Sequence, residues 1–394
     1  MDSVLTGLEI LLRDGVRLPG RGRIGLLCNN AVTDRHFAAT PELLNDRRDL
    51  TLTRIFSPQH GFAGEKQDNM IESEDGVHPG TGVPMISLYG RVREPEPPML
   101  SGLDAILIDL PDVGTRVYTF LSTALYVMRQ AARVGAPVIV LDRPNPIGNR
   151  AEGPILDPAF ESFVGVIPVP LRHGLTVGEY CRFGRSALAL DLDLAVVAME
   201  GYQPASYFDQ TGLPWVLPSP NMPSLDTAIV YPGAVMLEGV NLSEGRGTTR
   251  PFELFGAPWA NPGLVAREVE ALSERCGLEG FGLREVAYEP TFHKYRGETV
   301  RGFQLHVTDR SRFRPVATYA AIFSAFRRIH SEEFDWRQPP YEYEHDRLPI
   351  DLICGTDLVR RNLMEGMSVA DMEEAWTVPL AGYEEARRAH TIYP

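Results

Sequence analysis

The chain has 394 residues, 44 % of them hydrophobic and 23 % charged, enough for two or three domains with cores of their own and too close to globular averages for large-scale disorder. Its 38 basic residues are outnumbered by 52 acidic ones, and no Lys/Arg block is dense enough to neutralise a row of phosphates, so nucleic acid is not an expected partner. No stretch approaches the roughly 18 to 20 apolar residues of a membrane span, and the opening MDSVLTGLEILLRDGV lacks a basic leader with an apolar core; a cytoplasmic location is expected as the sequence stands, or a periplasmic or secreted one if a leader has been removed.

Taken in chain order, the first two-thirds alternates short apolar runs with amphipathic stretches. The runs are RIGLLCN (23–29), LTRIFSP (52–58), VPMISLY (83–89), AILIDLP (105–111) and PVIVLDRP (137–144), a rhythm that predicts βαβ units around a mostly parallel sheet. Between the last two, residues 119–135 repeat apolar side chains at helical spacing and stop at Gly135, with Pro137 just beyond, which predicts a helix. Runs 192–200 and 228–241 are expected to extend the sheet. Composition changes near GAPWANPG (256–263). Beyond it lie a helical pattern at 264–275, a strand-like run at 301–309, a helical pattern at 316–330 and a polar tail with prolines. The expectation is an α/β protein, with a Rossmann-like, mostly parallel sheet domain over 1–255 and a smaller α/β domain over 256–394.

Polar residues gather at the carboxyl ends of the apolar runs. Asn29 and Asn30 follow the first, Ser57, Gln59 and His60 the second, and Tyr89 the third; Asp109, Asp112, Arg116 and Tyr118 follow the fourth, and Asp142, Arg143 and Asn145 the fifth. Any one cluster reads equally well as a turn, but open α/β sheets bind ligands beyond these strand ends, and five clusters at one edge predict a site there. Three later segments add polar density: PSPNMP (218–223) with Asn221, EGVNLSEGRGTTRPF (238–252), and PTFHKYRG (290–297) with His293 and Lys294. The middle one places Glu238, Asn241, Glu244, Arg246, Thr248 and Thr249 in a Gly-containing loop, which can bring side chains and backbone N–H groups close to a ligand. His173 and His306 each stand alone among apolar neighbours and are expected in supporting roles.

Several cofactor motifs fail. GRGRIG (20–25) precedes the first strand instead of following it, so it cannot set glycines under a pyrophosphate, and a nicotinamide is not expected. P-loop, zincin and lipase-like signatures are absent. Cys28, Cys181, Cys276 and Cys354 are far apart, have no zinc-ligand spacing, and are expected as buried reduced thiols. No metal or organic cofactor is required.

The segments GRIGLLCN, FSPQHGFAGE, LPDVGTRVYTF, VLDRPNPIG, LPSPNMP, EGVNLSEGRGTTRPFELFGAPW and PTFHKYRGE together resemble the NamZ-type exo-β-N-acetylmuramidases. That resemblance implies a Rossmann-like catalytic domain, an auxiliary domain, a cleft between them, and hydrolysis that frees N-acetylmuramic acid from the non-reducing end of peptidoglycan fragments, so the expected partner is a small glycan or muropeptide. The family's leading catalytic candidate is the Glu of a PEHG motif, beside the residue that is His60 here. In this chain the Glu position is Gln59, and an amide cannot act as a general acid. Three readings follow: a neighbouring carboxylate takes over, the chain binds muropeptides without hydrolysing them, or Gln59 is an engineered inactivating change made to trap a ligand. Glu65 is the first choice for a relocated acid, with Asp68, Glu72 and Glu74 in the same segment and Glu244 and Glu238 next. Asp112 and Asp142 are expected to orient ligand hydroxyls. Arg116 and Arg246, ahead of Arg143 and Lys294, are expected to receive the lactyl carboxylate of muramic acid. A further alternative is a metal-dependent sugar-phosphate transferase built on the Asp-rich strand ends.

Overall fold

A computed structural model of the chain describes residues 3–15, 18, 20–68 and 70–394. The apolar runs become strands β1 (Arg23–Leu27), β2 (Thr51–Ser57), β3 (Gly76–Val77), β4 (Pro84–Ser87), β5 (Ala105–Ile108), β6 (Val138–Leu141), β7 (Glu152–Ile155), β8 (Pro170–Arg172) and β9 (Leu194–Val197). Among the described residues, seven of these form one sheet in the order β3-β4-β2-β1-β5-β6-β9, parallel at every pairing except β3 with β4. β7 and β8 form a separate antiparallel pair. Inner strands of such a sheet are covered on both faces, which is why β5 and β6 are apolar and buried throughout.

The side chains of β5 and β6 alternate between two cores. Leu107, Ile139 and Leu141 pack on one face with Leu8, Ile24 and Ile55. Ile106, Ile108, Val138 and Val140 face the other core, which runs on without a break into Phe255, Phe303 and Phe326 of the second half. The predicted helix spans Phe120–Val134 and ends at Gly135, whose left-handed φ of 68° lets its N–H cap the carbonyls of Ala131 and Ala132. From β1 the chain moves outward to β2 and β4, then returns past β1 to β5. The reversal lies between β1 and β5, and the ligand-binding edge of this topology lies beyond their carboxyl ends.

The second half is built on β10 (Leu254–Ala257), β11 (Phe281–Tyr288) and β12 (Val300–Val307), an antiparallel sheet in the order β10-β12-β11. Helices Pro262–Cys276 and Pro315–Ile329 pack with it.

Three expectations are corrected. Residues 228–241 do not extend the sheet: they form helix Leu225–Ala234 and a 3-10 turn, Val235–Gly239. The Ser224 side chain caps the helix at the Thr227 N–H, and residues 227–234 are all buried, so no polar face betrays the helical period. The polar tail is largely helical, with Pro349–Cys354, Leu358–Glu365 and Val369–Arg387. His306 is exposed on β12 instead of buried. Cys28, Cys181 and Cys354 are buried and Cys276 half-buried, all as free thiols. Among the described residues no helix is long and apolar enough to cross a membrane.

Candidate active site

A narrow cleft opens where the carboxyl end of the large sheet meets the second half, and Gln59, His60, Tyr118, Thr119, Asn221, Tyr231, Glu238, Arg246, Tyr341 and Glu342 are among its lining. From the sheet side, the chain leaves β2 at Ser57 and turns through His60 and Gly61, both left-handed, with φ of 75° and 79°. This turn aims Gln59 inward. The Gln59 carbonyl oxygen accepts the Thr119 hydroxyl at 2.5 Å, just ahead of helix Phe120–Val134. Its amide nitrogen then faces the Tyr89 hydroxyl and Glu342 Oε1, each at 3.0 Å.

The second half supplies the facing wall. Gly239 lies so close to Ile350 that a Cβ there would meet the Ile350 Cα at 2.7 Å. Only a glycine lets helix Pro349–Cys354 seat against the 235–239 turn, and this contact sets Glu238 beside the segment that precedes the helix. Tyr341 donates its hydroxyl to Glu238 Oε2 at 2.6 Å, and Arg246 donates to Oε1 at 2.7 Å. The Arg246 guanidinium sits over the Phe252 ring, 5.1 Å from its centroid. Its Nη1 is buried and has no hydrogen-bond partner among the described residues.

Glu342 follows directly. Tyr341 and Glu344 exchange two backbone hydrogen bonds of 2.9 Å, and the residues between them, Glu342 and Tyr343, both have positive φ, 45° and 67°. This is the pattern of a two-residue hairpin turn of type I′. It projects Glu342 across the cleft, where Oε2 accepts the Tyr89 hydroxyl at 2.7 Å. Arg93 braces the arrangement from outside, with its guanidinium 4.3 Å from the Tyr89 ring centroid and 4.0 Å from that of Tyr343.

Electrostatics separate these groups. Burial pushes the Glu342 carboxyl up to about 7, against the hydrogen bonds from Tyr89 and Gln59 and the charge of Arg246, while the negative charge of Glu238 pushes the same way as burial. Glu238 is closed in an ion pair with Arg246. Burial pulls His60 down to about 4. Its Nδ1 lies 2.7 Å from the Lys66 carbonyl, which only accepts, so the neutral ring carries its proton on Nδ1 and leaves Nε2 as an acceptor. Among the described residues no group of three or more His, Cys, Asp or Glu is placed to hold a metal ion.

Two family models cover almost all of this architecture: one described as exo-beta-N-acetylmuramidase NamZ, N-terminal, matches residues 24–226, and its C-terminal counterpart matches 229–393. The chain belongs to the NamZ family. A relative described as peptidoglycan beta-N-acetylmuramidase NamZ, from Bacillus subtilis (strain 168), is 38 % identical over 392 residues, spanning 99 % of this chain and 92 % of that one. Crystal structures of two DUF1343 family proteins from Bacteroides fragilis NCTC 9343 share the fold over all of this chain and 99 % of each of theirs, with TM-scores of 0.87 and 0.74 at 28 % and 23 % identity.

The residues that carry the NamZ resemblance divide between this cleft and its supports. Gln59, His60, Tyr118, Asn221, Glu238 and Arg246 meet in the cleft. Asp112 and Arg143 line a neighbouring hollow with Pro111 and Trp215; Arg143 is paired with Asp109, and Asp112 lies 3.2 Å from the His173 Nε2. Asn29 ties down the 218–222 loop by donating to the Pro218 carbonyl at 3.0 Å. Asp142 receives Thr176, the Gly178 N–H and Tyr393, which makes it an anchor for helix Val177–Ala187. Asn145 donates to the Leu175 carbonyl and accepts the Ile147 N–H. Asn241 bonds the backbone of Glu333 and Asp335, and Thr248 donates to the Gly245 carbonyl inside its own loop.

Some expected roles do not fit where the side chains sit. Glu65 and Glu72 are exposed and outside the cleft lining: Glu65 folds back on Gly61, and Glu72 pairs with Arg93 at 3.3 Å. Glu244 is buried behind the cleft, where Lys294 at 3.0 Å and His293 at 2.9 Å surround it. Burial would raise its carboxyl, but Lys294, His293 and Arg246 together hold it well below the usual range, so it has no proton to give. Arg116 is spent on the carbonyls of Pro154, Val169 and Ile353 and is unavailable to a lactyl group. Glu342 is the carboxyl group of the cleft that sequence reasoning missed. Its only trace is the Tyr–Glu–Tyr–Glu run after Pro339 and Pro340, in a stretch read as tail.

Proposed function

We propose that the protein is a glycoside hydrolase that removes N-acetylmuramic acid from the non-reducing end of peptidoglycan fragments. The observation that carries this reading is a buried cleft presenting two carboxyl groups of opposite character, Glu238 in an ion pair and Glu342 raised to about 7. Glycoside hydrolysis generally needs such a pair, one group to protonate the leaving oxygen and one to act on the opposite side of the reaction. Arg246 adds a reason for muramic acid: its Nη1 lacks a partner among the described residues and can receive the lactyl carboxylate that distinguishes this sugar. The exo mode comes from family membership, and the peptidoglycan source from the activity of the Bacillus subtilis relative.

The test is release of free N-acetylmuramic acid from a chromogenic muramide and from a β-1,4-linked muramic acid–glucosamine disaccharide, with chelator present. The expected result is stoichiometric release of both products. Tight binding of the disaccharide without product would instead identify a muropeptide-binding protein, and cleavage only inside long glycan chains would remove the exo assignment.

A further inference from the structure

We propose that Glu342 is the proton donor for the leaving oxygen and that Gln59 is the positioning residue that holds it across the cleft. This rests on the hydrolase reading above.

The assignment follows by elimination among the groups in the cleft. Among the described residues lining it, only Glu238 and Glu342 carry carboxyl groups. Glu238 has one oxygen on Arg246 at 2.7 Å and the other on the Tyr341 hydroxyl at 2.6 Å, so its charge is paired with a cation. His60 gives its one ring proton to the Lys66 carbonyl. Gln59 is an amide with no exchangeable acid, and its oxygen is already taken by Thr119. Glu342 is also buried, at 7 % exposure, but its two hydrogen bonds come from neutral groups, from Gln59 to Oε1 and from Tyr89 to Oε2, and among the described residues no cation forms a salt bridge with it. These bonds fix the plane of the carboxyl and leave each oxygen a second lone pair, where a proton can be held toward the cleft. The hairpin turn adds independent weight, because a left-handed backbone at two successive non-glycine residues is costly and such conformations cluster at functional sites.

The step balances without another reagent. The Glu342 proton passes to the glycosidic oxygen, and the C1–O bond breaks with its electron pair going to that oxygen. Water adds its oxygen to C1, and the proton it sheds restores the Glu342 carboxyl through solvent. The products are N-acetylmuramic acid and the shortened glycan.

The experiment compares wild type, Glu342→Gln and Gln59→Ala on two muramides, one with a dinitrophenol leaving group that departs without a proton and one with a sugar leaving group that needs it. Glu342→Gln is expected to lose on the order of 10²-fold or more in kcat on the disaccharide, the usual contribution of general acid catalysis, and under about tenfold on the dinitrophenyl substrate. In wild type, kcat/KM on the disaccharide falls as pH rises through about 7, and this limb disappears in Glu342→Gln. The titratable groups facing Glu342 are Glu238, Arg246, Tyr89, Tyr231, Tyr341 and Tyr343; Glu238→Gln, which removes a neighbouring negative charge, moves the limb to lower pH if Glu342 is its source. Gln59→Ala removes a hydrogen bond that favours the charged form, so it moves the limb to higher pH while lowering kcat. A Glu342→Gln variant that loses both substrates equally, or neither, overturns the assignment while leaving the hydrolase reading intact. Wild type inactive on both substrates overturns the two together.

Discussion

Arg246 commits only part of its guanidinium. One edge holds Glu238 at 2.7 Å, and Nη1 is left without a partner among the described residues, an unusual state for a buried donor unless a ligand completes it. If that ligand is the lactyl carboxylate, Arg246→Gln removes discrimination as well as activity. The ratio of kcat/KM for an aryl muramide to that for the matching N-acetylglucosaminide should fall by about 10- to 100-fold, the worth of a charge-assisted hydrogen bond of roughly 1.5 to 3 kcal/mol. Damage through Glu238 burdens both substrates alike and cancels in the ratio. An unchanged ratio would place lactyl recognition elsewhere. Glu342 shows a different tension: at its left-handed position, Asn or Gly would be easier on the backbone, and neither carries an acid. The chain accepts a poor turn former where the chemistry needs a carboxyl.

At the scale of elements, the helix Leu225–Ala234 depends on close approach. A Cβ on Gly233 would lie 2.1 Å from the Pro315 carbonyl oxygen, at the start of the helix Pro315–Ile329. Helix propensity alone would make Gly233→Ala stabilising by about 1 kcal/mol, but two backbones cannot part here without opening the core. We expect Gly233→Ala to lower stability by about 1 to 3 kcal/mol, measured as a reduced urea midpoint at unchanged m value; a raised midpoint would show that the helices slide freely. The same helix shows what the sequence could tell. β1, β5, β6 and β9 were legible because four or more apolar residues in a row, bounded by turn formers, have few other solutions. The segment 225–234 gave an equally apolar run, and burial on every side erased the period that would have marked it as a helix. In the site, Gln59, Glu238 and Arg246 were legible because they lie in recognisable motifs. Glu342 was not, because its position depends on a hairpin that pairs with Glu238 and Gln59 only in three dimensions.

At the scale of the whole molecule, one apolar core runs from Ile106 and Val138 under the large sheet to Phe303 and Phe326 in the second half. Two lobes joined in this way should unfold as a unit. Calorimetry is expected to show a single transition with matching calorimetric and van't Hoff enthalpies, and two resolved transitions would mean that the shared core is weaker than its continuity suggests. The cleft spans the same junction. Gln59 and Glu342 touch at 3.0 Å although 283 positions separate them in sequence. Chains are made from the N-terminus, and domains tend to fold as they emerge, so the large sheet can form while the acid has yet to be synthesised. A wall-degrading activity assembled this way stays silent through most of its own translation, and a truncated product released early carries the sugar pocket's floor without the means to cut.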